Sequence, residues 1–166
     1  MPGSSSVSHR PPPDDAAFDI VVVGGGMAGL AAAVTAAREG AHVALVHERP
    51  VLGGNASSEV RVNLEGANGG AHNRFFVESG IAEDLLLENL WRNPTGSADI
   101  WSALLLDVAL AEPRLTLLLD THAHDVELDR VSRLLVAVHA LTLGSEQAWR
   151  LTAAVFVDAT GDGSLA

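Results

Sequence analysis

Four consecutive apolar residues, Ile20–Val23, run straight into Gly24-Gly25-Gly26, and an alanine-rich stretch then reaches Arg38. A second apolar run, His42–His47, stops at Glu48. The pattern predicts strand, tight turn, helix and strand. Ala28, Ala31, Ala32, Ala33, Ala36 and Ala37 are strong helix formers whose small side chains permit close sheet packing, and Gly40 suits the left-handed helix end. Further on, apolar positions at Phe75, Phe76, Ile81, Leu85, Leu86 and Leu90 predict an amphipathic helix over Phe75–Trp91, weakened by Gly80. Ala98–Leu110 gives a cleaner helix ending near Pro113, and Glu59–Leu64 reads as a short strand. The period then changes. Leu115–Leu119, His122–Leu128, Leu134–Leu143 and Ala148–Leu151 read as successive strands, with turns at Asp129-Arg130 and Gly144-Ser145. Val155–Val157 is a continuous apolar run, which suits a parallel strand covered on both faces.

The first glycine cluster has a chemical reading. Gly24 allows the tight turn out of the strand, Gly26 lets the backbone approach a pyrophosphate, and Gly29 lets helix and strand pack closely. The start of the helix, at Met27 and Ala28, offers backbone N–H groups and a partial positive charge to phosphates. Glu48 stands nineteen residues past Gly29, close to the spacing of about 20 expected for an acid that holds a ribose hydroxyl. A glycine-rich turn in some other α/β unit explains Gly24, but requires neither a third glycine nor a terminal acid. The expected fold class is therefore α/β: a doubly wound, Rossmann-like parallel sheet with inserted helices and an antiparallel β-meander. Arg49-Pro50 and the Gly53-Gly54 pair stop any helix after the second strand, so a loop there runs alongside the bound nucleotide.

Composition narrows the partners. Ten basic residues against 21 acids give a formal charge of −11, which argues against nucleic acid or an anionic membrane. Every basic residue is arginine, which excludes a Schiff-base or P-loop lysine. Without cysteine the chain forms no disulfide, thiolate metal site or cysteinyl flavin link. No apolar run approaches the ~20 residues needed to span a bilayer, and a cytoplasmic location is expected. Residues 1–17, with Ser4-Ser5-Ser6 and Pro11-Pro12-Pro13, read as a disordered arm, leaving 18–166 as the domain.

The fingerprint ending in Glu48, the Gly53-Gly54 loop, the meander and the Asp158-Ala159-Thr160-Gly161-Asp162-Gly163 turn occur in an order that resembles the FAD-dependent oxidoreductases of the glutathione-reductase-like class. The resemblance covers about residues 18–166. It implies FAD as cofactor, with the pyrophosphate on Gly24, Gly26, Met27, Ala28 and Gly29 and the ribose on Glu48, beside Arg49. Gly53, Gly54, Ser57 and Ser58 would lie toward the flavin end, and Thr160, Gly161 and Asp162 near the cofactor. It also implies a substrate domain and a further strand after this motif, so the chain is expected to be the amino-terminal part of a flavoenzyme. A missing carboxy-terminal half or a self-association partner would complete it. The substrate and the catalytic residues stay unassigned. A non-catalytic nucleotide-binding remnant is the alternative from another class. An NAD-dependent dehydrogenase is a third, against which Gly53-Gly54 and the Ala159-Thr160-Gly161-Asp162 turn argue.

Asp120-Thr121-His122-Ala123-His124-Asp125 competes as a metal-binding strand, since alternation places both histidines on one face. Only 42 residues follow His124, too few for the later ligands of such a barrel, so no metal site is expected. His42, His47, His72 and His139 read as surface or capped residues. Arg61, Asn63, His72 and Arg74 are candidates to face the flavin and orient substrate. Trp91, Trp101 and Trp149 read as packing residues.

Overall fold

The computed structural model describes residues 14–64 and 79–165. Its elements run β1 (Asp14–Ala17), β2 (Ile20–Val23), α1 (Met27–Arg38), β3 (Val43–Val46), a 3-10 turn (Gly54–Ala56), α2 (Ile81–Arg92) and α3 (Ala98–Leu110). They continue β4 (Leu115–Leu118), β5 (Thr121–Leu128), β6 (Leu135–Thr142), β7 (Gln147–Thr152) and β8 (Val155–Asp158).

Two four-stranded sheets result. One is wholly parallel in the order β4-β3-β2-β8, and the other runs β1-β7-β6-β5. The second contains the antiparallel meander β5-β6-β7. Alternation along β2 and β3 divides their apolar residues between two cores. Val22, Val43 and Leu45 meet Leu30, Val34, Leu104 and Leu105 from the helices. Val21, Val23, Ala44 and Val46 face Val138, Ala140 and Leu151 of the meander sheet. This double covering explains why both runs are apolar without a break. At about 1.5–3 kcal/mol for each fully buried Val or Leu, the two cores hold the parallel sheet on both sides. The α/β class, the inserted helices and the meander are all present, with the meander sheet forming the second covering layer.

Several local expectations change. Asp14–Ala17, assigned from sequence to the arm, form β1, parallel to β7, with Gln147 Nε2 donating to Asp14 Oδ2 at 2.8 Å. Their polar, mostly exposed pattern hides a strand held by backbone pairing and edge contacts. Residues 1–13 of the arm lie outside the described residues. Leu115–Leu118 joins the parallel sheet beside β3 and is not a meander strand, because an apolar run carries no sign of its partner's direction. Glu59–Leu64 is no strand: the N–H groups of Arg61 and Val62 turn back to the carbonyls of Ser57 and Asn55. Within the expected helix over 75–91, Phe75 and Phe76 lie outside the described residues, as do His72 and Arg74. The described helix starts after Gly80, whose φ is 70°. Trp101 is buried, whereas Trp91 is 85% exposed and packs little.

Candidate functional site

The carboxyl ends of β2, β3 and β8 open onto a cleft of about 770 Å³. All the residues expected to hold the cofactor line it except Gly29 and Ser58; of the candidates to face the flavin, Asn63 lines it and Arg61 does not. Gly29 and Ser58 sit behind its wall. A Cβ on Gly29 would overlap the carbonyl oxygen of Gly24 and stand 3.1 Å from the Ala159 Cβ, so Gly29 is glycine for packing. Ser58 donates its backbone N–H to Ser102 Oγ at 2.9 Å, tying the loop to α3.

The three fingerprint glycines do different work. Gly24 has a φ of 105°, and a side chain there would run into the backbone of Ala159-Thr160. Gly26, by contrast, has ordinary dihedrals, φ −65° and ψ 179°, and a Cβ on it would meet nothing within 4 Å. Among the described residues no neighbour fills the space its missing side chain leaves. Gly26 is also the N-cap of α1, which has no side-chain cap and no acid in its first turn. An uncapped helix start with open space before it favours an anion.

The second glycine pair is docked on the first. Gly53 and Gly54 have φ of 111° and 58°, and Gly53 N–H donates to the Gly25 carbonyl at 2.8 Å. A Cβ on Gly54 would stand 3.1 Å from Gly26 Cα. Ser57 is buried, with its Oγ accepting from Glu59 N–H at 3.3 Å.

Sequence reasoning missed His47, which joins these loops. Its buried Nδ1 accepts from Gly25 N–H at 3.0 Å, and its Nε2 lies 3.1 Å from the Val51 carbonyl. Nδ1 must therefore be the unprotonated nitrogen and Nε2 the donor, which makes the ring neutral. Burial pushes its pKa below the usual histidine value, against the contrary pull of the Val51 carbonyl. Its one signal in the sequence was a polar residue closing an apolar strand. His47 is thus a buried bridge and not a surface residue.

Glu48, next along the chain, reaches the cleft mouth with its side chain 61% exposed, and its Oε2 lies 3.3 Å from His122 Nδ1. Arg49 turns outward to Glu59, Nε to Oε2 2.8 Å. His122 belongs to β5, as does His124, but the register shifts between Ala123 and Asp125, so strict alternation is broken there. Among the described residues no group of three or more His, Cys, Asp or Glu side chains could hold a metal ion.

Asp158 builds the third wall, another residue whose role the sequence did not single out. Its Oδ1 accepts from the Thr160 hydroxyl at 2.6 Å and from Thr160 N–H at 3.0 Å, and its Oδ2 from Leu165 N–H at 2.9 Å. Burial pushes the carboxyl up, but these bonds from Thr160 and Leu165 outweigh it and hold it below the usual aspartate value. Thr160 is thereby occupied in shaping the turn, its Oγ1 also accepting from Ser164 N–H at 2.8 Å. Gly161 and Asp162 are left on the exposed rim.

Three glycine-bearing turns and an acid thus surround one cleft at the carboxyl ends of parallel strands, the usual place for a nucleotide in such sheets. Solved structures share this fold. L-proline dehydrogenase from P. horikoshii is 20% identical with a TM-score of 0.54, the match covering 92% of this chain and 24% of that one. THI4 of Thermovibrio ammonificans is 20% identical with a TM-score of 0.59, covering 87% of this chain and 58% of the other. The myxobacterial chondrochloren halogenase CndH, described as a new variant of FAD-dependent halogenases, is 17% identical with a TM-score of 0.61, covering 90% and 38%. The chain thus spans less than two thirds of each of these proteins. No protein of curated function matches the sequence. No helix among the described residues is long and apolar enough to cross a membrane. The family of FAD dependent oxidoreductases matches residues 19–166, from the start of β2 through the Thr160-Gly161-Asp162 turn, and the chain belongs to that family.

Proposed function

We propose that the cleft holds FAD in an extended pose, as the nucleotide-binding portion of a flavin-dependent oxidoreductase. The observation that carries this reading is Gly26, which lines the cleft at an uncapped helix start and whose added Cβ would meet no described atom within 4 Å. The pyrophosphate lies against Gly24 and Gly26, where the N–H groups of the first turn of α1, at Met27 and Ala28, face its charge. Glu48 accepts from the adenosine ribose hydroxyls, with Arg49 beside it. The dinucleotide then runs past Gly53, Gly54 and Ser57 on one side and Thr160, Gly161 and Asp162 on the other. Gly29 and Ser58 act from behind, holding the turn and the loop in place. When bound, the isoalloxazine ring supplies the redox chemistry, and the chain supplies binding and orientation.

The edge of the parallel sheet belongs to the same proposal. Among the described residues β8 pairs on one side only, with β2, and Val155 is half-exposed. An open parallel edge invites another strand, from further polypeptide or a second copy.

The direct test is a titration of the purified chain with FAD, NAD and ADP, followed by flavin fluorescence quenching and calorimetry. FAD is expected to bind more tightly than NAD, and ADP to compete as the adenine half. Binding of NAD at least as tight as FAD would move the chain to the dehydrogenase reading. A chain that ignores both would leave the nucleotide-binding assignment without support.

A further inference from the structure

Beside the nucleotide cleft lies a second cavity of about 520 Å³, between the 55–64 loop and helices α2 and α3. The two share Ala56, Val62, Asn63 and Leu64 as a common wall. Resting on the flavin reading above, we infer that this second cavity is the substrate subsite, and that Arg61 anchors there the carboxylate of a small organic acid with an apolar body.

Arg61 carries the argument. Its backbone sits at φ 64°, a region that disfavours any residue but glycine, asparagine or aspartate. The loop enforces this, because Arg61 N–H donates to the Ser57 carbonyl at 2.8 Å and Val62 N–H to the Asn55 carbonyl at 2.9 Å. Arg61 Nε then donates to the Ser58 carbonyl at 2.9 Å, which fixes the guanidinium plane and leaves the terminal nitrogens over. Arg38, Arg49, Arg92 and Arg150 each meet a carboxylate; Arg61, like Arg114, Arg130 and Arg133, meets none among the described residues, and of these four it alone lines the cavity. In a chain with 21 acids, the described lining of this cavity contains no Asp or Glu.

The rest of the lining sets the ligand class. Leu86, Val62 and the buried Trp101 offer apolar surface, while Asn63 and Asn89 add neutral amides. A guanidinium beside apolar walls suits a planar carboxylate, which it engages with two parallel hydrogen bonds, on a molecule whose remainder is apolar. A bare phosphate would use the arginine and leave the apolar walls unpaired.

The probes are benzoate, its neutral isostere benzamide, and inorganic phosphate, each titrated by calorimetry into the full chain with and without FAD. Benzoate is expected to bind at least tenfold more tightly than either comparison ligand. Arg61→Gln should abolish that preference without changing FAD affinity. Arg61→Gly supplies the control for folding: glycine accepts φ 64° freely, so this variant should melt no lower than the parent and still lose benzoate. Equal binding of benzoate and benzamide, or benzoate binding unaltered in both variants, would overturn the proposal. Phosphate binding as tightly as benzoate would overturn the organic-acid class. If FAD fails to bind while Arg61-dependent benzoate binding persists, the flavin reading falls and the subsite stands. If FAD binds and benzoate does not, only the subsite falls.

Discussion

The Gly24–Gly29 turn and the Gly53–Ser58 loop are both rich in glycine and both wall the cleft, yet they hold their shapes in opposite ways. The first is built on the fold itself. Gly24 and Gly29 press on each other and on Ala159, leaving Gly26 as the glycine of this turn whose added Cβ would meet no described atom within 4 Å. The second takes its position from the first, through the Gly53–Gly25 hydrogen bond, the close approach of Gly54 to Gly26, and His47 beneath. A glycine in a nucleotide fingerprint can therefore serve the protein or the ligand, and only the structure tells which.

Substitution should separate the two kinds. Gly29→Ala forces a methyl into the Gly24 carbonyl, and the fold is expected to lose about 3 kcal/mol, as overpacked sites do. Urea unfolding would show it, with FAD affinity falling as a consequence. Gly26→Val is expected to unfold within about 1 kcal/mol of the parent, since a Cβ there meets no described atom within 4 Å. It should nevertheless emerge from purification without nucleotide. Retention of FAD by that variant would remove Gly26 from the phosphate site.

Glu48→Ala is the milder case, on the rim and 61% exposed. Losing a hydrogen bond to a charged group costs about 1.5–3 kcal/mol, so FAD affinity should fall roughly ten- to a hundredfold with the melting temperature unchanged. Unchanged affinity would take the acid out of the site.

The smallest effect concerns the bridge between the two loops. His47 is neutral in the folded chain with its pKa lowered by burial, so the unfolded chain takes up a proton first as pH falls. The His47 contribution should be complete above its ordinary value of 6.5 and decline as pH drops from there toward the lowered folded value. A His47→Asn variant should lose that slope in a series of melts across pH. A slope that persists would assign the titration to another histidine.

Much of this was legible from residue order alone. Ile20–Val23, Gly24–Gly29, Val43–Val46 and Glu48 lie where their local chemistry placed them, because each depends on near neighbours in sequence. What escaped depends on partners far along the chain. Asp14–Ala17 form a strand only because β7 offers an edge, and Leu115–Leu118 are parallel only because β3 lies beside them. His47 and Asp158 build the site through bonds to backbone N–H groups, which no side-chain pattern announces. Arg61 reads from sequence as a candidate to face the flavin and orient substrate, but its unusual dihedral and the absence of an acid partner among the described residues belong to three dimensions.

The pairing of β2 with β8, Ile20 with Val155 and Val23 with Asp158, has a consequence for how the chain is made. During synthesis the glycine turn leaves the ribosome early, but the backbone it packs against, Ala159, comes about 135 residues later. At roughly 5–20 residues per second the early strands wait some seconds, with an apolar edge uncovered. The cleft wall built by Ala159 and Thr160 is therefore complete only once β8 has been made. A dinucleotide that needs this wall meets it only after the early strands have been made.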